Sequence, residues 1–190
     1  MAPINKFDVF YSWAGFFLRV KVRGIKEWGR RYSDSFSADM RVFYNMDSGL
    51  NIVPADYAAK VMYQICMQSA EGESYHLVND YETPHRIYIP IMLKTINFDG
   101  VVQVNAVPEN MNKIEQLYYK TVGSVFTPYI VSGPMLFNTQ NIKKVMMKAG
   151  VACPRVNSDN FSILINYAKG LDFGLTEKRS LRLSAASNIG

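Results

Sequence analysis

Apolar positions recur at helical spacing over residues 5–23, where Phe7, Phe10, Tyr11, Ala14, Phe17 and Leu18 follow the i, i+3, i+4, i+7 pattern behind Asn5 as a cap. The opposite face carries Val9, Trp13, Phe16 and Val20. A helix that is apolar nearly all round is buried, or lines a cavity or a partner. Gly24 and Gly29 are expected to interrupt it, and the polar residues 33–39 to form a loop. Residues 40–44 read as a strand, 45–49 as a turn and 51–53 as a second short strand. Residues 56–69 predict an amphipathic helix with Ala59, Met62, Tyr63 and Cys66 along its apolar side.

Beyond a turn at residues 71–73, the run SYHLV (74–78) reads as a strand. Thr83 and Pro84 then form a cap and first helical position. That helix reaches about residue 97, with a kink expected at Pro90. Residues 101–104 alternate as a strand, and 110–122 form a helix around Ile114, Leu117 and Tyr118. Residues 123–138, with Pro128, Gly133 and Pro134, are expected to be mostly irregular. Helices follow over 139–149, stopped by Gly150, and 158–169, capped by Ser158, with Phe161, Ile165 and Ala168 on one face. The fold class is therefore α/β, of the mixed α+β kind, with a few short strands and about six helices.

Composition narrows the class. The chain has 190 residues and 48% hydrophobic content, enough for one domain or one lobe of a larger one. A net charge of +5 permits anionic ligands without specifying one. The basic cluster Arg19, Lys21, Arg23, Lys26, Arg30 and Arg31 reads as a solvated helix face and a turn. Cys66 and Cys153 form no CxxC pair and read as buried free thiols of a reducing cytosol. The apolar run over 9–20 is too short to span a bilayer and follows Asp8, not a basic segment. A cytoplasmic location is expected.

Catalytic motifs are missing. No two glycines lie two or three residues apart, so there is no dinucleotide fingerprint, and the glycines at 24 and 29 lack the Lys-Ser/Thr ending of a phosphate loop. His76 and His85 have no spacing for a metal site and read as structural. No serine sits in a nucleophile elbow, and no Tyr is followed four positions later by Lys.

The run LNIVPADYAAKVMYQI (50–65), with Asn51, Val53, Pro54, Asp56, Tyr57 and Ala59, resembles a signature of extended short-chain dehydrogenase/reductases. It is most similar to the branch with fatty acyl-CoA reductases, thioester reductases and NAD-dependent epimerase-like enzymes. GESYHLVND (72–80), Thr83-Pro84, LFNTQNIKKVM (136–146, with Asn138 where Asp is usual) and VACPRVNSDNFSILINYAK (151–169) follow in that family's order.

The resemblance implies a Rossmann-type enzyme's C-terminal portion. Residues 1–175 would be the substrate-binding lobe plus late sheet strands, without the N-terminal dinucleotide-binding half, and 176–190 a flexible tail. NAD(P) is implied for the complete enzyme and no cofactor for this chain alone. An acyl thioester, carbonyl or nucleotide-sugar is the implied substrate. Tyr11, Trp13, Phe17 and Arg19 on the first helix are candidate substrate-binding residues, as is Arg41, since a guanidinium suits a diphosphate. For each, core packing or plain surface charge is the competing reading. Asp56 is expected to cap the helix after Pro54, and no residue is assigned a catalytic or metal-binding role. Expected partners are the substrate, the missing half or a second copy, with no nucleic acid and no membrane. The alternative is a non-enzymatic basic, aromatic module that binds a partner protein or a membrane surface.

Overall fold

The computed structural model describes residues 9–27, 29, 31, 33–68 and 73–174. Asn5, the turn at Glu71 and Gly72, and the tail beyond residue 174 lie outside the described residues. Helix α1 (Val9–Glu27) runs through the centre of the fold. Trp13, Ala14, Phe16, Phe17 and Leu18 are buried, and Phe10, Tyr11 and Val20 pack partly against the same core. The all-round apolar surface is thus satisfied from both sides. Trp13 donates from Nε1 to the Tyr118 hydroxyl (2.9 Å) and stacks on Phe126 at 4.5 Å between centroids. Gly24 does not interrupt the helix, which continues to Glu27. A Cβ at Gly24 would lie 2.0 Å from the Phe36 ring, so the missing side chain lets the following strand close on the helix.

That strand, β1 (Phe36–Phe43), begins earlier than expected and takes in residues 36–39, which the sequence placed in a loop. Phe36 is buried beside Phe98, while Ser37 and Asp39 point to solvent, an alternation that polar content alone concealed. The connection holds β2 (Gly49–Leu50), α2 (Ala55–Gln68), β3 (Thr83–Pro84) and α3 (His85–Ile96), and returns as β4 (Phe98–Val104). β4 lies parallel to β1, with Met40 opposite Val101 and Phe43 opposite Val104, and the register slips between Ser37 and Met40.

The outer edge of β1 is closed by side chains from the start and body of α4 (Lys113–Lys120). Asn112 Nδ2 donates to the Asp39 carbonyl (2.7 Å) and Glu115 Oε1 accepts from the Arg41 amide (2.8 Å). The Tyr119 hydroxyl accepts from the Phe43 amide (3.0 Å) and donates to the Arg41 carbonyl (3.1 Å). Three side chains thereby satisfy strand groups that would otherwise present a bare edge.

Several local expectations are corrected. Residues 51–53 and 74–78 form no strand; the second sheet is the antiparallel pair β2–β3 alone. Thr83 and Pro84 make that pairing instead of opening α3. Pro84 holds the cap position without a side-chain cap bond, and the buried Thr83 hydroxyl has no partner. On α2, Tyr57 and Val61 turn inward onto Ile142 and Met146 of α6 (Gln140–Ala149), while Ala59, Met62, Tyr63 and Cys66 are exposed. The helix carries two apolar stripes, and packing chose the other one. Residues 122–131 form α5 (Val122–Val131) where irregular chain was expected, because Phe126 and Ile130 bury into the main core despite Pro128.

Other expectations hold. Asn97 and Gly150 end α3 and α6 in the left-handed conformation. Helix α7 (Ser158–Gly170) buries Phe161, Ile165 and Ala168, though its cap is Asn157, one residue before Ser158. The architecture is mixed α/β, with seven α-helices and a few short strands in small sheets among the described residues. No described helix is long and apolar enough to cross a membrane.

Candidate functional site

The five candidate substrate residues do not converge. Trp13 and Phe17 have 0% exposure and serve the core. Tyr11 is half-buried in the same packing, and Arg19 is exposed, with Nε donating to the Gly15 carbonyl one turn back (3.3 Å). Arg41 is engaged by Glu115 in a two-pronged contact, Nε to Oε1 and Nη2 to Oε2, both 2.7 Å. The Arg41 side chain, aided by the backbone amides of Arg41 and Asn112, holds the buried Glu115 carboxyl down at about 2 despite its desolvation. Glu115 also closes a capping box with Asn112 at the start of α4. The fork of Arg41 therefore ties strand to helix. Asp56 is the second residue of α2, inside the first turn, so its exposed carboxylate faces the helix dipole and does not stand at the cap.

The histidines are equally separate. His76 lies in an irregular segment, exposed, with Nδ1 3.0 Å from the Asn138 carbonyl oxygen. His85 is fully buried, with Nδ1 2.8 Å from the Tyr88 hydroxyl and Nε2 without a partner. Burial lowers its pKa to about 4, so the ring is neutral at pH 7.

What the fold builds is a cavity of about 670 Å³ where β1 and β4 end side by side. Ligands of open parallel α/β sheets sit at this carboxyl end of the strands. Its lining comprises Phe43, Tyr44, Met46 and Val131 and a polar wall of Asn45, Asp47, Arg86, Gln103 and Asn105. Each wall residue has a local reason for its place. Asn45 is pinned by its amide on the Ile130 carbonyl (2.8 Å), and its Oδ1 accepts from the Asp47 amide (2.9 Å), folding the turn after β1. Arg86, in the first turn of α3, donates from Nη1 to the Met46 carbonyl (2.9 Å). Gln103 Nε2 lies 2.9 Å from the Tyr44 carbonyl, 3.0 Å from that of Val104 and 3.0 Å from Asn105 Oδ1. Burial raises the Tyr44 phenol, which stays protonated at neutral pH.

This constellation can bind and orient a polar molecule; it holds no nucleophile–base pair. Among the described residues no group of three or more His, Cys, Asp or Glu could hold a metal ion. The residues at the strand ends do not fit a nicotinamide dinucleotide: no glycine is among them to form the cradle of amides that a pyrophosphate uses, and Asp47 adds an exposed carboxylate. A smaller groove of about 420 Å³ between α3 and α7 is lined by Lys94, Thr95 and Ser162, but Thr95 Oγ1 already donates to the Ile91 carbonyl (2.7 Å).

The chain matches no protein-family model, no curated protein and no solved structure. Sequence reasoning found the turn at residues 45–49 but none of the cavity's polar residues as such. They come from three separate segments: the β1–β4 pairing brings the first and third together, and the β2–β3 pairing adds Arg86.

Proposed function

We propose that this chain is the substrate-binding portion of an NAD(P)-dependent oxidoreductase or epimerase-like enzyme, inactive alone. The observation that carries the reading is a polar binding cavity at the carboxyl ends of parallel strands, with no acid–base pair in it. It accords with the resemblance of residues 50–65 and the later segments to extended short-chain reductases. NAD(P), a cytoplasmic location and a missing partner half belong to the same proposal. The test is NADH and NADPH oxidation with aldehyde and acyl-thioester substrates, by the chain alone and after adding a Rossmann half of an extended reductase. The expected outcome is no turnover alone and association with the added half on size exclusion. Turnover by the repurified chain that is lost on mutating Tyr44 or Arg86 would refute the claim that it is inactive alone.

A second reading, a non-enzymatic interaction module, is favoured by the exposed apolar residues Met62, Tyr63 and Met67 on α2 and Met135, Leu136 and Phe137 before α6. These residues, and not the buried α1, are where self-association would start. Co-sedimentation with liposomes separates the readings, since a substrate lobe shows no lipid dependence.

A further inference from the structure

The strand-end cavity sorts its hydrogen-bonding groups into two kinds. Arg86 uses Nη1 on the Met46 carbonyl, and no described residue engages Nε or Nη2. Asn105 Oδ1 takes the Gln103 amide, which leaves the Asn105 amino group as a donor. The three acceptors around Gln103 Nε2 fix the orientation of that carboxamide, so its Oε1 remains an acceptor. Asp47 lines the same cavity with an exposed carboxylate. The wall therefore offers one cationic and one neutral donor, and one anionic and one neutral acceptor. An acyl chain could meet Phe43, Met46 and Val131, but it would also strip water from five polar side chains without giving them partners, which is costly. A plain anion would meet Arg86 but also the Asp47 charge.

We propose that this cavity takes a small polar anion that carries its own hydrogen-bond donors, a hydroxylated or amino-substituted carboxylate or phosphate ester. Arg86 and Asn105 hold the anionic group, and Asp47 and Gln103 Oε1 receive the donors. The inference rests on the substrate-lobe reading and names the ligand class of its site.

The experiment follows the side-chain amide resonances of Asn45, Gln103 and Asn105 in the full chain by ¹⁵N-correlated NMR. The probes are L-malate, glycerol 3-phosphate, inorganic phosphate and hexanoate. Malate and glycerol 3-phosphate are expected to give saturable shifts confined to these amides, and their relative affinities distinguish carboxylate from phosphate ester. Arg86→Gln should weaken both by about tenfold or more, while Arg86→Lys, which keeps the charge, retains binding. Asp47→Ala should tighten inorganic phosphate by removing repulsion but should not tighten glycerol 3-phosphate, whose hydroxyls lose an acceptor. Absence of saturable shifts, shifts spread over the whole surface, or affinity unchanged by Arg86→Gln overturns the proposal. Hexanoate binding that ignores Arg86→Gln overturns this ligand class while leaving the lobe reading in place. Failure of an added Rossmann half to associate counts against the lobe reading and leaves the cavity shifts unaffected.

Discussion

Acidification should destabilise this protein through His85 before it does so through its carboxylates. The imidazole is completely buried against Tyr88, with Tyr44 nearby, and has no acceptor on Nε2 to receive a second proton. The unfolded chain binds that proton near the ordinary histidine pKa of about 6.5, whereas the folded chain binds it only near about 4. Between those values the unfolded state carries more protons, so stability is full above pH 6.5 and falls as pH falls towards 4. A shift of about 2.5 pH units at about 1.4 kcal/mol each gives a loss of about 3 kcal/mol. That is a large share of the 5–15 kcal/mol by which domains are typically stable, on the order quoted for small proteins. The assay is urea unfolding at closely spaced pH values for the wild-type chain and for His85→Phe. The variant forfeits the Tyr88 contact at every pH, so its absolute stability is not the readout. The difference between the two curves as a function of pH is. Glu115 and the other carboxylates are common to both proteins and cancel in that difference. Parallel curves from neutral pH down to pH 4 would refute the claim that a neutral, buried imidazole is built into the fold.

Two further outcomes are expected. Glu115→Gln should destabilise the chain by about 1.5 kcal/mol at pH 7, because it turns the charge-assisted fork between the buried Glu115 and the solvent-reached Arg41 into neutral hydrogen bonds; thermal melting measures it, and the variant should lose the acid-limb contribution that the wild type sheds as pH falls from about 4.5 towards about 2. Asp56→Ala should cost only about 0.5 kcal/mol, the worth of a first-turn carboxylate on the helix dipole, and added salt should shrink the difference; a loss of a full capping bond would mean the side chain reaches back to the start of α2.

Helices with strong periodicity were legible in the sequence: α1, α3, α6 and α7 lie close to where the spacing put them. The failures share a physical cause, which is that a local pattern does not state what lies opposite. Gly24 looks like a helix stop unless Phe36 is known to press against it. Pro128 looks like a break unless Phe126 and Ile130 are known to have a core to enter. The two stripes of α2 are both apolar, and only the docking of α6 decides between them. The same limit hid the cavity. Asn45 and Gln103 are unremarkable polar residues until a parallel pairing across some sixty positions lays two strand ends together, and Arg86 until β3 pairs with β2.

The side chains that close the outer edge of β1 arrive late. Glu115 stands 74 residues after Arg41, so a ribosome adding about 5–20 residues per second leaves β1 uncovered for roughly 4–15 seconds. β4, the strand's other neighbour, is also still unmade for most of that interval. The nascent chain therefore passes through a stage in which the apolar strand Phe36–Phe43 has neither partner nor cover. Translation rate and chaperone capacity set how much of the product survives that stage. A chain truncated before Asn112 would gain β4 but never the cover, so the other edge of β1 would stay open to any passing strand.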